Sequence, residues 1–134
     1  MILFYIISYD IWFYISHIFL HRPYIYKSIH KIHHSIDYTS MHYQDTYVGH
    51  WGENVIQGLG IFFPLVFITF YADVFLYSLI VINVRGMMQH DSRFTFLIGN
   101  HHILHHKHPN YNFGQYWLDK LGGTAYPKSI QPKI

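Results

Sequence analysis

Residues 17–34 read His17-Ile-Phe-Leu-His21-Arg22-Pro23-Tyr-Ile-Tyr-Lys27-Ser-Ile-His30-Lys31-Ile-His33-His34. Two histidines four apart are followed by a His-x-x-His-His pattern, which recurs as His102-Ile-Leu-His105-His106. Residues three and four apart on a helix share one face, with Cβ atoms roughly 5–6 Å apart. Each cluster is therefore expected to be helical and to aim two or three imidazoles at a common point. Imidazole is the commonest metal-ligating side chain. Thirteen histidines in the chain are far more than the roughly four ligands of a tetrahedral structural zinc. The expectation is a metal site holding more than one ion.

Upstream, Met1 to Leu20 is apolar apart from Ser8, Asp10, Ser16 and His17. It reads as one helix, 1–21, that ends on His17 and His21. It lacks the basic start and small-residue cleavage site of a signal peptide. Asp10, His17 and His21 fall on one face of it. Pro23 disfavours helix at Arg22, and Tyr24 to Ile36 resumes as a short polar helix. Asp37 to Gly52 reads as loop, and Asn54 is placed to cap the next helix.

Val55 to Val84 is almost entirely apolar, with Asp73 its lone charge. Taken as one helix, 58–84 would be about 40 Å long, against a hydrocarbon core of about 30 Å. A charge at mid-span is costly. Two shorter helices forming a hairpin near Tyr71-Ala72-Asp73 fit better, with a single tilted span as the alternative. Arg85 closes this region. His101 to His108 reads as a helical turn or two ended by Pro109, 110–124 as irregular, and 125–134 as a short basic tail.

Composition agrees with a lipid setting. Charged residues are 12% of the chain and aromatic residues 20%, when globular proteins average about 25% charged. Tyr and Trp favour membrane interfaces. The mean hydropathy of +0.09 is low because the histidine-rich stretches dilute strongly apolar ones. A net charge of +2 with no continuous basic run gives no reason to expect nucleic acid as a partner. The absence of cysteine excludes disulfide frameworks, thiolate zinc and iron–sulfur clusters. Arg22, Lys31, Arg93 and Lys107 flank the histidine clusters, which the positive-inside tendency assigns to the cytoplasmic side. The expected fold is all-α: a single domain, 1–134, made of an integral membrane helical bundle with a histidine-lined cytoplasmic di-metal cap. Its parts are the 1–21 helix, the 55–84 membrane hairpin and the 85–124 histidine region.

Acidic residues are too few and scattered for a ferritin-like site, which leaves an all-nitrogen dinuclear centre. Imidazole suits iron as well as zinc and copper. Iron is the sensible metal for an enzyme here, since an alkyl C–H bond offers no acidic proton and zinc cannot change oxidation state.

These motifs resemble the three histidine boxes of the fatty acid hydroxylase / sterol desaturase superfamily. Asp10 stands ahead of the first box as in that family, and Gly49-His50-Trp51-Gly52-Glu53 resembles its His-x-x-Glu element. Gln89-His90-Asp91 resembles a His-Asp pair ahead of the last box, and Asn112-Phe113-Gly114 with Trp117-Leu118-Asp119 and Gly123-Thr124 resembles its ending. The resemblance implies a membrane-bound oxidoreductase with two irons, for which zinc could substitute in purified protein. It would use O2 to hydroxylate or desaturate a fatty-acyl or sterol-like lipid, with electrons from a donor such as cytochrome b5 or a ferredoxin. In a eukaryotic cell its membrane would be the endoplasmic reticulum. It carries metal-ligand roles to His17, His21, His30, His33, His34, His102, His105 and His106, with His90 as a ninth and His50 as a tenth. Asp10 and Asp119 would orient imidazoles through the other ring nitrogen. His42, His101 and His108 are expected to be non-ligands, and Glu53 is either an orienting acid or a helix-start charge. Family members carry further membrane helices before the first box, where this chain has room for one. The alternatives are a truncated, inactive metal-binding relative and a zinc hydrolase or metal carrier.

Overall fold

A computed structural model describes residues 1–127. Helix α1, Ile2–Leu20, follows the first apolar stretch. Extended backbone at Arg22 then lets Pro23 open α2, Pro23–Ser28, where its fixed φ and missing N–H cost nothing. The polar helix expected over 24–36 is split. After Ile29, the second histidine box continues as a 3-10 helix, His30–Ser35.

The segment read as loop contains a 3-10 turn, Tyr43–Tyr47, and α3, Trp51–Gly58, begins before Asn54. The cap is His50, whose Nδ1 accepts from the Gly52 N–H at 3.0 Å. A histidine ring can supply the acceptor more often given by Asn or Ser. A 3-10 helix, Leu59–Val66, continues from α3. The chain turns at 67–71, and α4 runs Ala72–Gln89 with Asp73 in its first turn. The helix does not stop at Arg85, because that side chain reaches Asp10 on α1. Short helices α5, Thr95–Ile98, and α6, His101–Lys107, follow. A last helix, α7, Tyr116–Gly122, lies in the stretch expected to be irregular. No strand occurs among the described residues. Most of the tail, 128–134, lies outside them.

The core joins α1, the Leu59–Val66 helix and α4 through Tyr5, Ile61 and Ile82, with Ile6, Leu65, Phe75 and Leu79 packed around them. Gly60 is required by contact rather than conformation, since a Cβ there would run into the Trp12 ring. Trp12 in turn donates from Nε1 to the Ile56 carbonyl at 2.9 Å. Outward faces remain apolar: Leu3, Ile7, Ile15, Phe62, Phe67 and Leu76 are all exposed. Contiguous exposed apolar surface marks an interaction with lipid or protein. Among the described residues, one helix, α1, is long and apolar enough to cross a membrane.

Candidate metal centre

Nine histidines converge as two groups. One holds His17, His21, His30, His34 and His105; the other holds His33, His90, His102 and His106; within each, one nitrogen per residue lies within 4.8 Å of all the others. The boxes do not each serve one point. Neighbouring residues on a helix diverge by about 100°, so each His-His doublet is divided between groups. His30 and His34 share the first group while His33 crosses to the second; His102 and His106 share the second while His105 crosses to the first. His17 and His21 complete the first group from the end of α1, and His90 completes the second from the end of α4.

The ring tautomers are set from outside. The Nδ1 of His17 lies 2.5 Å from the Phe113 carbonyl oxygen, that of His105 2.6 Å from Tyr111 O, that of His33 2.8 Å from Val48 O, and that of His90 2.9 Å from Gly86 O. A carbonyl can only accept, so each Nδ1 is the donor and each Nε2 presents a lone pair. The Nδ1 of His30 lies 2.9 Å from Glu53 Oε1, a close approach rather than a directed hydrogen bond. Nevertheless the Nε2 atoms of His33 and His90, both with Nδ1 on a carbonyl, sit 3.2 Å apart. Two unprotonated nitrogens at that distance repel unless a cation lies between them. Bonds of roughly 2.0–2.1 Å to such an ion place adjacent nitrogens roughly 3 Å apart. His21 Nε2 and both nitrogens of His106 are buried without partners, although buried polar atoms rarely go unpaired. These residues fit a pair of metal ions.

Electrostatics keeps the rings ready to bind. Burial, followed by the charges of His30 and His33, pushes His21 down to about 3. Burial, then His33, brings His90 to about 3 against the upward pull of the Gly86 carbonyl. His34, His102, His105 and His106 are held well below the usual imidazole range, by burial first and by neighbouring histidines second. Metal ligation needs neutral imidazole, and this packing enforces it.

A cavity of about 310 Å³ opens against both groups. His17, His30, His33, His90 and His102 form one wall, and Phe13, Ile61, Leu79 and Ile82 supply apolar surface. Its polar lining includes the Asp10–Arg85 pair and Gln89, which donates to Gln115 at 3.1 Å.

Nine convergent imidazoles beside an apolar cavity agree with what comparison of the sequence finds. The profile of the fatty acid hydroxylase family matches residues 2–124. The chain belongs to the fatty acid hydroxylase family. It is 34% identical over 126 residues to a Delta(7)-sterol 5(6)-desaturase of Aspergillus fumigatus, covering 86% of this chain and 34% of that protein. It is 31% identical over 136 residues to mouse lathosterol oxidase, covering 92% and 44%, and 29% identical over 155 residues to human cholesterol 25-hydroxylase, covering 96% and 52%. The chain thus spans about a third to a half of the length of these relatives. No solved structure matches it.

Within this member of the family, the residues expected around the ligands fall differently. His50 stands outside both groups, at the start of α3. Asp10 is almost fully buried, and its carboxylate receives both terminal nitrogens of Arg85 rather than an imidazole. A buried acid needs a partner, and α4 supplies it. Asp119 works through backbone. It accepts from Phe113 N at 2.8 Å, Gly114 N at 2.9 Å and Thr124 Oγ1 at 2.7 Å, with His101 Nε2 at 2.9 Å. It therefore pins the segment whose Tyr111 and Phe113 carbonyls face His105 and His17. Asn112 lies between those carbonyls at φ 60, a left-handed conformation that Asn tolerates. His42 faces Arg93 and His108 stacks on Tyr126, both away from the groups. The acid that touches a group histidine is Glu53, and the His50-x-x-Glu53 spacing was the one signal for it. Backbone carbonyls leave no mark in side-chain spacing.

Proposed function

We propose that this chain is a membrane-bound oxidoreductase that holds two iron ions on nine histidines and uses O2 to hydroxylate or desaturate a lipid C–H bond. The observation that carries this reading is the convergence of unprotonated Nε2 atoms on the wall of an apolar cavity. Iron, when bound, would supply the oxygen activation that no side chain here can provide.

The protein's own part is positional. His17, His21, His30, His34 and His105 would hold one ion, and His33, His90, His102 and His106 the other. Phe113, Tyr111, Val48 and Gly86 carbonyls keep the protons on Nδ1, so the coordinating nitrogens need no rearrangement. Phe13, Ile61, Leu79 and Ile82 would hold an alkyl or ring system against the imidazole wall and keep water out. The Asp10–Arg85 pair locks α1 to α4, the two helices that frame the cavity. A sterol-like lipid is favoured as substrate by the names of the relatives, with a fatty-acyl chain as the second class. Electrons would come from a donor such as cytochrome b5 or a ferredoxin. The exposed apolar faces of α1, the Leu59–Val66 helix and α4 would sit in lipid, with Arg22, Lys31 and Lys107 on the cytoplasmic side.

The test is lipid mass spectrometry of a host expressing this chain or its His105→Ala variant. New oxidised or desaturated lipid, dependent on O2 and absent with His105→Ala, is expected. Lipid profiles indistinguishable between the two, with the wild-type protein iron-loaded and membrane-inserted, would refute the proposal.

A further inference from the structure

We infer that Glu53 makes the two metal positions unequal, so that the five-histidine group fills first. Among the described residues, Glu53 is the one carboxylate within 4.0 Å of a histidine in either group. Its Oε1 lies 2.9 Å from His30 Nδ1, with both side chains almost completely buried. Four other rings, His17, His33, His90 and His105, set Nδ1 against neutral backbone carbonyls. A carboxylate beside the far nitrogen raises the electron density that His30 presents at Nε2 more than a carbonyl dipole does. That Nε2 is central to its group, 3.0 Å from His17 Nε2 and 3.1 Å from His34 Nε2.

The remaining oxygen, Oε2, is buried without a partner. Among the described residues no lysine or arginine lies within 4.0 Å of Glu53, so a metal ion behind His30 would supply a counter-charge. Glu53 is placed for this by local sequence. The cap at His50 starts α3, which sets Glu53 in its first turn, and Gly49 leaves room, since a Cβ there would lie 3.2 Å from Oε2. The second group has no such acid, and one nitrogen fewer. Glu53 is thus a positioning residue that acts through His30.

This rests on reading the groups as metal positions, and uptake is tested separately from its order. The metal-free full chain in detergent micelles is titrated with Zn2+ against a chromophoric chelator. Two steps at least about tenfold apart are expected in the wild type. Glu53→Gln keeps the shape and removes the charge, and should weaken the first step about 10–100-fold while leaving the second within about twofold. In a His30→Ala background, Glu53→Gln should cause no further loss, because its route to the metal is gone. No uptake at all would fail the metal reading. Equal wild-type steps, a loss shared by both steps, or an additive loss with His30→Ala would overturn this one. If Glu53→Gln loses the helical circular dichroism of the metal-free protein, the wild type decides alone. With one equivalent of Zn2+, 15N-histidine NMR should show metal-shifted Nε2 resonances for His17, His21, His30, His34 and His105. First shifts at His33, His90, His102 and His106 would overturn it.

Discussion

The metal-free protein should be acid-labile well above the range where carboxylates titrate. In the folded chain His21 and His90 are brought to about 3, in each case chiefly by burial. In the unfolded chain they return to about 6.5. As pH falls below about 6.5, the unfolded state takes up protons that the folded state refuses. The stabilisation is therefore complete above that pH and drains away below it. Between pH 7 and pH 5 each of these two rings costs about 2 kcal/mol, so the pair costs about 4 kcal/mol. His33, His34, His102, His105 and His106 are displaced in the same direction and add to the loss. Typical domains have only about 5–15 kcal/mol in total. Chemical unfolding in detergent, followed by far-UV circular dichroism at pH 7, 6 and 5, measures this directly. Most of the metal-free stability should be gone by pH 5, whereas metal-loaded protein, whose Nε2 lone pairs are occupied, should hold to lower pH. A change below about 1 kcal/mol in the metal-free protein would refute the claim that these imidazoles are packed neutral against one another.

Two further perturbations separate architecture from ligation. Asn112→Ala places a Cβ without the compensating side chain at φ 60 and removes the acceptor of Tyr126 N at 2.7 Å. About 2–4 kcal/mol should be lost in thermal unfolding, with weaker metal binding as the Tyr111 and Phe113 carbonyls turn; unchanged affinity would show that those carbonyls do not govern His105 and His17. His50→Ala should cost about 1 kcal/mol through the lost α3 cap while metal content of the purified protein stays the same. Loss of a metal equivalent would place His50 among the ligands after all.

Local patterns carried much of the fold. The apolar run ending in His17 and His21 specified α1, Pro23 marked the break before α2, and the His-x-x-His-His and His-x-x-x-His spacings marked the histidines that converge. Signals failed where a residue's role is decided by a distant neighbour. Glycines punctuating 110–124 made that stretch read as irregular, but Gly114 and Gly122 are small because Tyr14 packs against them, and α7 forms within it. Arg85 looked like the polar end of an apolar segment, yet it continues α4 to reach Asp10.

By itself, then, the sequence determined that the chain is helical, largely apolar and built to gather imidazoles, because those properties follow from residue type and short-range periodicity. Only the tertiary structure decided how nine rings divide into five and four, that Glu53 rather than Asp10 or Asp119 lies against a histidine of these groups, and which carbonyls hold the Nδ1 protons. The physical reason is range. The partner of His17 Nδ1 is 96 residues away, and no pattern of three or four residues encodes a contact made only when α1 and the 111–114 segment have packed together.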